Sequence, residues 1–392
     1  MLKTISSLVF LGGIQSCLGY VLSVSLANYL GPEQFGIYSF VLACGALGTL
    51  FVNFGTAETG IKLSLERGAS VFNSIIAFRI LSLGVIAFCS LIYAAIFLDW
   101  YFIGVPVVAT AALSFALIYE YRAKNIRASM VYSVERLLYT LAILLGIALH
   151  LKLSVAAIFC ILLVAQLTSL AFQAFDLRIR LHDLSFSQYE AVLRAGLEQF
   201  LYQIGKFGFG GGTRIVIFSA LGATASGNFA VAWTFIPLAT IYYGQIVKVF
   251  RLPLTKTWTS RSDREFKRLL SAFFMALVLP AVLAASLFLC VGGEVIALIF
   301  SEEYVAAKDL APYVGLYFIV AAVDAFINIV TVIMDTVQKA SYINGGLSVT
   351  ALLISYLFST NEASFFLILI LTHLLALSIT FALSLGILND RD

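Results

Sequence analysis

The sequence predicts an all-α integral membrane protein with about twelve transmembrane helices of roughly 20 residues each, and three features support this fold class. Hydrophobic residues make up 61% of the 392 residues and charged residues only 11%, with a mean hydropathy of +1.01. So little polar surface cannot cover a soluble globule of this length. The apolar runs are long and do not alternate with polar residues, which favours helices over the strands of a membrane barrel.

The helices can be placed in order from the apolar runs. The run from Ile5 to Leu30 is too long for a signal-peptide core, so we expect it to remain as the first helix. Gly31-Pro32 and Gly36 bracket a tight turn before the second helix. Helices are then predicted over residues 71–98, 104–119, 137–149 and 153–175, and over 197–222, 227–249, 269–291, 310–334, 343–358 and 364–388, with Pro237 breaking the eighth helix and a cationic loop over 248–268.

This order divides the chain into two six-helix lobes. Residues 1–175 form the predicted N-lobe with helices 1–6. Residues 176–194 are polar and are interpreted as a cytoplasmic amphipathic linker. Residues 195–392 form the predicted C-lobe with helices 7–12.

A short internal repeat supports the division. Leu30-Gly31 followed by Gly36 recurs 191 positions later as Leu221-Gly222 followed by Gly227, with an aromatic residue two positions after the second glycine in each copy. Each copy joins the first and second helix of its half. An even number of helices separates the copies, so the lobes share one orientation and are related by a pseudo-two-fold axis along the membrane normal. Two such lobes around a central cleft are typical of transporters.

Positive charges predict the orientation, because Lys and Arg in short connections favour the cytoplasmic side. The termini and the even-numbered connections, in which we count Arg136, hold 19 of the 24 Lys and Arg residues. The odd-numbered connections hold only Lys152 and Lys308. This imbalance predicts that both termini are cytoplasmic.

The seventh helix, Leu197–Gly222, carries two cations inside a predicted span. A charge at the centre of a membrane helix costs about 2.5–3.5 kcal/mol on insertion scales, so such residues usually face a water-filled cavity. Gln199, Gln203, Lys206 and Arg214 recur at helical spacing and predict one polar stripe that lines the cleft and binds substrate. The alternative is that Lys206 or Arg214 reaches the interface or pairs with a carboxylate for structural reasons only.

Glycines are concentrated in the same segment, at positions 205, 208, 210, 211 and 212. Glycines in a membrane helix either let it bend or let neighbouring helices approach closely. Close packing is the interpretation that we prefer from the sequence.

Asp324 is the one carboxylate well inside a late predicted helix, and Asn328 follows one turn later. The pair is a candidate for charge pairing or for cation coupling. Asp324 either neutralises Lys206 or Arg214 or binds the H⁺ or Na⁺ that drives transport, and the structural ion pair is slightly preferred.

Two further polar residues lie inside predicted helices. Arg79, near the start of the third helix, either reaches the near interface, which is preferred, or serves the cavity. His373 in the twelfth helix is either a proton relay or, more commonly, a hydrogen-bonded core residue.

No metal site and no catalytic site are predicted. The five cysteines are odd in number and lack the spacing of metal ligands. No nucleophile elbow or phosphate-binding loop appears, and topology explains the cytoplasmic cations without nucleic-acid binding. We expect no cofactor apart from a coupling ion.

Three motifs carry a family resemblance: LGPEQFGIYSFV after the first helix, FVNFGTAETG after the second and IFSEEYVAA after the ninth. With them the chain resembles the polysaccharide flippases of the multidrug/oligosaccharidyl-lipid/polysaccharide exporter superfamily. The resemblance implies a V-shaped, MATE-like fold in a bacterial inner membrane. It also implies transfer of an undecaprenyl-pyrophosphate-linked oligosaccharide to the periplasmic leaflet, for O-antigen, capsule or related glycans. Other glycan-assembly membrane proteins are candidate partners.

Two other functions compete with the flippase. An H⁺- or Na⁺-coupled exporter of small molecules on the same fold would favour carboxylates in the cleft, and the balance of Lys206 and Arg214 against Asp324 argues against it. A membrane glycan polymerase or ligase works at a large extracytoplasmic loop. The predicted odd-numbered loops are short, which argues against such an enzyme.

Overall fold

The chain is helical throughout the part described by the computed structural model, which covers residues 2–122, 124–179, 184–260, 262–334 and 336–389. The elements up to residue 221 are α1 (Leu2–Asn53), α2 (Thr56–Arg67), α3 (Val71–Phe97), α4 (Gly104–Ala109), α5 (Ala116–Tyr121), α6 (Asn125–Ala148), α7 (Val155–Leu177), α8 (Tyr189–Phe209) and α9 (Gly211–Leu221). The later elements are α10 (Ala223–Trp233), α11 (Ile236–Thr259), α12 (Asp263–Ile299), α13 (Val305–Asp309), α14 (Ala311–Ile333), α15 (Val337–Phe358) and α16 (Glu362–Asn389). The predicted all-α class is confirmed.

Ten segments of the described residues are long and apolar enough to cross a membrane. The first, Phe10–Asn53, has 44 residues, about twice the roughly 20 that one span needs. Its backbone leaves helical geometry at Gly31 (φ 71°, ψ 172°), where the sequence predicts a turn. The segment predicted as helix 7 is not among these ten, and its apolar part is the shorter helix Gly211–Leu221. The chain is an integral membrane protein, and the count of twelve helices stays a prediction.

The helices pack into two compact units. The first comprises Met1–Tyr29 and Ile37–Phe207, and the second comprises Leu30–Gly36 and Gly208–Asp392. The packing boundary therefore falls inside the segment predicted as helix 7, twelve residues after the predicted start of the C-lobe at 195. The predicted assignment of lobes and linker stays a prediction.

The predicted linker is partly helical where it is described. Residues 180–183 of it lie outside the described residues, and α8 begins already at Tyr189. Val192 of α8 is fully buried in a cluster with Ile75 of α3, Tyr119 of α5 and Leu177 of α7. The N-terminal part of α8 is thus an integral part of the first unit.

Aromatic residues pack the second unit. Phe229 of α10 is fully buried, stacks on Trp233 at 5.3 Å between ring centroids and lies 4.8 Å from Phe366 of α16. Trp233 in turn lies 4.9 Å from Tyr317 of α14. These contacts join α10, α14 and α16.

The two copies of the repeat contact each other inside the second unit. Gly31 and Gly222 share a conformation that L side chains rarely adopt, with φ of 71° and 89° and ψ of 172° and −179°. A Cβ at Gly36 would overlap the carbonyl oxygen of Ala223, and a Cβ at Gly227 would overlap the carbonyl oxygen of Pro32. Since Ala223 and Gly227 lie 191 positions after Pro32 and Gly36, the contact is reciprocal.

Several predicted connections are helical. The polar stretch after α1 forms α2, and the predicted cationic loop 248–268 is mostly the end of α11 and the start of α12. Arg136, counted as a connection residue, lies in the middle of α6. Lys, Arg, Glu and Leu are strong helix formers, and a helix need not end at the bilayer surface. The break at Pro237 is confirmed, because α10 ends at Trp233 and α11 begins one residue before the proline.

Candidate functional site

The segment predicted as a single seventh helix forms two helices, α8 and α9, separated at Gly210 (φ −115°, ψ −91°). The Phe209 carbonyl accepts a hydrogen bond from the Tyr317 hydroxyl at 3.3 Å, and the Gly210 carbonyl accepts one from the Thr213 hydroxyl at 2.5 Å. An interrupted helix in a membrane needs such donors, because lipid offers none to freed carbonyl groups. The predicted continuous helix is wrong, and Gly210 marks the interruption.

One neighbouring glycine serves close packing, as the sequence suggests. A Cβ at Gly208 would lie 2.5 Å from Cβ of Ser348 on α15. The glycine-rich segment therefore combines both alternatives, an interruption at Gly210 and a tight helix contact at Gly208.

The part of the polar stripe that precedes the interruption is intact. Gln199, Gln203 and Lys206 lie on one face of α8, and all three are half-buried. Lys206 Nζ lies 5.5 Å from the ring centroid of Tyr202, within the range of a cation–π interaction. The Cβ of Gln199 packs against Gly55, in the turn between α1 and α2.

Arg214 lies after the interruption, as the fourth residue of α9, and is half-buried. Thr213 beside it is fully buried. The first backbone N–H groups of a helix have no carbonyl partner within that helix, and the helix dipole makes this end positive. Glycines at 211 and 212 leave the backbone of the first turn open to close approach. A helix N-terminus with a guanidinium beside it suits an anion.

A buried polar cluster in the second unit holds the interruption. The His373 side chain is buried, and its ring stacks on Phe209 at 4.3 Å with 6° between the planes. His373 Nδ1 lies 3.1 Å from the Tyr317 oxygen, and Nε2 lies 3.9 Å from Asp324 Oδ1. The Tyr317 hydroxyl has one proton, so which group donates in its bond to His373 depends on the tautomer of the imidazole. His373 is thus a hydrogen-bonded core residue that also meets the candidate carboxylate.

Asp324 and Asn328 share one face of α14 and line a pocket of about 290 Å³. Thr240, Tyr243 and Gly244 of α11 line the other side. Carboxylate, amide and hydroxyl oxygens are the ligands that hard cations prefer. The pocket therefore joins Asp324 and Asn328 as the spacing predicts, and adds a hydroxyl from α11.

Arg79 is 3% exposed, so its side chain is buried among protein groups. The choice between the near interface and the cavity stays a prediction. Its Nη1 donates to the carbonyls of Ala112 at 2.9 Å and Ser114 at 3.3 Å, where α4 and its 3₁₀ extension end before α5. Its Nε and Nη2 donate to the Thr56 hydroxyl at 3.1 and 2.8 Å. Carbonyls freed at a helix C-terminus attract a cation, which explains the burial.

A polar group between α1 and α6 is not among the residues predicted from the sequence. Gln15 Nε2 donates to the Ser129 carbonyl and to the Ser133 hydroxyl, both at 3.0 Å. Arg136 lies on the same side of α6, with its guanidinium against Gly19 of α1. The spacing of 129, 133 and 136 is helical and could have revealed this face. It was missed because the cations were used to place a helix boundary after Arg136.

A protein-family model described as polysaccharide biosynthesis protein matches residues 25–309, well over half of the chain. The chain belongs to this polysaccharide biosynthesis protein family. The matched range contains all three motifs that suggest the resemblance. The predicted resemblance is therefore confirmed. No curated protein matches the chain significantly.

Solved transporters share the fold of this polysaccharide biosynthesis protein. A multidrug resistance MATE family transporter of the MOP superfamily, in an inward-facing conformation, is 13% identical over 95% of this chain and 94% of its own, with a TM-score of 0.68. The lipid II flippase MurJ is 13% identical over 96% and 98%, with a TM-score of 0.61. A MOP superfamily transporter from Pyrococcus furiosus is 12% identical over 98% and 95%, with a TM-score of 0.60. The predicted MATE-like fold is confirmed.

Proposed function

We propose that this polysaccharide biosynthesis protein is a flippase for an undecaprenyl-pyrophosphate-linked oligosaccharide. It moves the lipid by alternating access from the cytoplasmic to the periplasmic leaflet of a bacterial inner membrane. The observation that carries the proposal is the interruption at Gly210, where α9 begins inside a predicted span with Arg214 as its fourth residue. The chemistry of a translocated pyrophosphate explains why such an arrangement is useful.

A pyrophosphate loses its hydration when it enters a bilayer, and fixed protein charges must replace the lost water. Interrupted membrane helices in transporters aim the positive ends of half-helices at anionic substrate groups. Arg adds a planar fork that binds phosphate through two parallel hydrogen bonds. We therefore assign the pyrophosphate to the N-terminus of α9 and to Arg214.

The face of α8 supplies the remaining substrate contacts in this proposal. Lys206, eight residues before Arg214 in the chain, is a second point charge that can bind a phosphate group. Gln203 and Gln199 offer amide donors and acceptors for sugar hydroxyl groups. The half-buried state of all three side chains fits groups that contact a ligand in a polar recess.

The family description and the fold of the lipid II flippase MurJ support a lipid-linked glycan as the substrate class. Translocation changes no covalent bond, so we propose that the protein is not an enzyme. Both termini are assigned to the cytoplasm on the distribution of Lys and Arg. Its partners in this proposal are the bilayer, the lipid-linked glycan and other membrane proteins of glycan assembly.

One observation favours a second candidate, an H⁺- or Na⁺-coupled exporter of small molecules. Asp324 and Asn328 line a pocket whose oxygen atoms suit a cation. The same pocket would serve a flippase as the site of a coupling ion, so it does not by itself separate the two functions. The substrate assay below does.

The test is complementation of a bacterial strain that lacks its glycan flippase, read as restored surface polysaccharide. Lys206→Ala and Arg214→Ala should each lower export at least tenfold, because a substrate hydrogen bond to a charged group is worth about 1.5–3 kcal/mol. Arg194→Ala and Arg251→Ala are matched controls, since both arginines are exposed. The controls should leave export within about twofold of the parent.

All four variants are compared at equal amounts of inserted protein. Full export by both Lys206→Ala and Arg214→Ala would refute the site and leave the flippase activity standing. Failure of the parent protein with several glycan classes, together with efflux of cationic dyes driven by H⁺ or Na⁺, would favour the exporter.

A further inference from the structure

A groove runs along the first unit between α6 and α7, and its lining residues belong to these two helices. It has a volume of about 370 Å³, and its surface is almost entirely apolar. One face of α6, from Arg127 to Leu138, lines it, together with Thr168, Ser169 and Phe172 of α7. Val134, Leu138 and Phe172 are about half exposed, so the groove is open to its surroundings. In a membrane those surroundings are lipid chains.

The length of the groove matches one leaflet. From Arg127 to Leu138 the helix rises by about 16 Å at 1.5 Å per residue. The hydrocarbon core of a bilayer is about 30 Å thick, so one leaflet contributes about half of that. A chain that begins beside Arg127 and follows the groove would thus end near the middle of the bilayer.

Cations surround the end of the groove at Arg127. Arg122, Lys124, Arg127 and Arg178 are all exposed there, at the start of α6 and the end of α7. Arg127 Nη1 lies 3.1 Å from Asp176 Oδ1, and Asp176 also accepts a hydrogen bond from the Tyr119 hydroxyl at 2.9 Å. Among the described residues at this end, these four cations exceed the carboxylates Asp176 and Glu120, which gives a positive excess.

The polar groups deeper in the groove are bound to each other. The Ser169 hydroxyl hydrogen-bonds to the Glu135 carboxyl group and accepts a bond from Gln173 Nε2 at 3.0 Å. Arg136 lies close enough to act on the charge of Glu135. These bonds leave an apolar wall for a chain, and among the described lining residues the exposed cation, Arg127, lies at one end.

From the length, the apolar wall and the cationic end, we infer that this groove binds one acyl chain of an anionic phospholipid. The phosphate group lies among Arg122, Lys124, Arg127 and Arg178, and the chain covers Val134 and Leu138. Basic pockets between membrane helices bind anionic headgroups in this way, and each nearby cation strengthens the attraction. None of the lining residues of the groove is a residue of the proposed substrate site.

The experiment measures which lipid occupies the groove. Val134→Trp places a fluorophore in it, and Leu141→Trp, on the same helix and equally exposed, places one outside it. Each variant is reconstituted in nanodiscs with dibrominated phosphatidylglycerol or dibrominated phosphatidylcholine, and quenching is measured relative to the parent protein. We expect the glycerol lipid to associate about tenfold more tightly than the choline lipid at position 134. At position 141 we expect no preference.

The charge dependence is tested in the Val134→Trp background. Lys124→Gln with Arg178→Gln keeps the Arg127–Asp176 ion pair and should reduce the preference to within about twofold. Arg251→Gln with Lys256→Gln removes the same charge from α11 and should keep the preference. Equal lipid preference at 134 and 141, or a preference that survives the first pair, would overturn the inference. Displacement of phosphatidylglycerol by an equal fraction of undecaprenyl phosphate would also overturn it, because the groove would then hold the carrier lipid.

Discussion

Arg79 connects two helix interruptions of the first unit through one guanidinium group. Its donors reach the Ala112 and Ser114 carbonyls on one side and the Thr56 hydroxyl on the other. The Thr56 hydroxyl in turn donates a hydrogen bond to the carbonyl of Asn53, the last residue of α1. The planar guanidinium group of arginine has enough N–H donors to bind all these acceptors at once. The compact ammonium group of lysine has fewer donors, and they do not spread over the same plane.

Replacing Arg79 should therefore be costly. Arg79→Met leaves two or more buried acceptors without a donor, and we expect the free energy of unfolding to fall by about 3 kcal/mol or more. Arg79→Lys should restore only part of this loss. Unfolding by SDS from detergent micelles measures both, with the exposed Arg251→Met as control. A loss no greater than that of the control would contradict the structural role.

Tyr317 offers a second test among single residues. Tyr317→Phe removes the donor to the Phe209 carbonyl and the partner of His373, so the interruption at Gly210 loses one of its two hydroxyl donors. We expect unfolding to become easier by about 1–2 kcal/mol and export to fall several-fold.

Tyr242→Phe is the matched control for Tyr317, because Tyr242 also donates to a helix carbonyl, that of Ala276. This bond is far in sequence from Gly210. If the two variants export glycan equally well at equal folded amounts, the Tyr317 hydroxyl has no special role at the interruption.

The roles of these residues depend on partners that are distant in the chain. The spacing of Asp324 and Asn328 predicts a shared face because four residues are one helical turn. The sequence around Arg79 does not predict that the carbonyls of Ala112 and Ser114 accept its hydrogen bonds. His373 lies 49 positions after Asp324, so their approach follows only from the packing of α14 against α16.

Among the elements, the α8–α9 interruption has two causes, the low helix propensity of its glycines and the hydrogen bonds that fix its position. Glycine lowers helix stability by about 1 kcal/mol relative to alanine, which weakens this segment. Five glycines between 205 and 212 allow an interruption at several places. Tyr317 and Thr213 bind the carbonyls at 209 and 210, and that selects the position.

Gly210→Ala should favour a continuous helix and thereby close the N-terminus of α9 to an anion. We expect export to fall at least fivefold while the folded protein remains abundant, since alanine is a strong helix former. Gly84→Ala in α3 is the control, because a Cβ there meets nothing within 4 Å. Normal export by Gly210→Ala would argue against a functional interruption.

The contact between the two repeat turns should be sensitive to the size of a single side chain. At Gly36 or Gly227 a single added methyl group meets backbone atoms, which cannot rotate away. We expect Gly36→Ala and Gly227→Ala each to reduce the amount of folded, monodisperse protein severalfold, measured by fluorescence-detected size-exclusion chromatography.

Gly345→Ala and Gly346→Ala are controls for these turns, since a Cβ at either position meets nothing within 4 Å. The controls should express like the parent. Equal yields for Gly36→Ala and Gly345→Ala would show that the turns do not need close backbone contact.

At the scale of the whole molecule, composition and apolar run length are enough to predict an all-α membrane protein. The reason is that the lipid bilayer offers no hydrogen-bond partners to the backbone, so helices can cross it and open sheets cannot. Helix ends are less predictable, because α11 and α12 carry Lys and Arg into helical segments that a charge count assigns to a loop. The α6 boundary is displaced for the same reason.

The predicted topology can be tested directly. In a background with the five cysteines replaced by alanine, Lys124→Cys and Lys256→Cys should react with an impermeant maleimide only from the cytoplasmic side. Lys152→Cys and Lys308→Cys should react only from the opposite side. Labelling of Lys124→Cys and Lys152→Cys from the same side would refute the predicted orientation.

The reciprocal contact at Gly36 and Gly227 has a consequence for the history of the chain. If the halves descend from a duplicated ancestor, most positions could diverge separately, because each packs against different neighbours in its own half. These two turns pack against each other, so a side chain at the glycine of either turn would overlap the backbone of the other turn. That mutual restraint explains why the 191-residue repeat can still be read at this stretch.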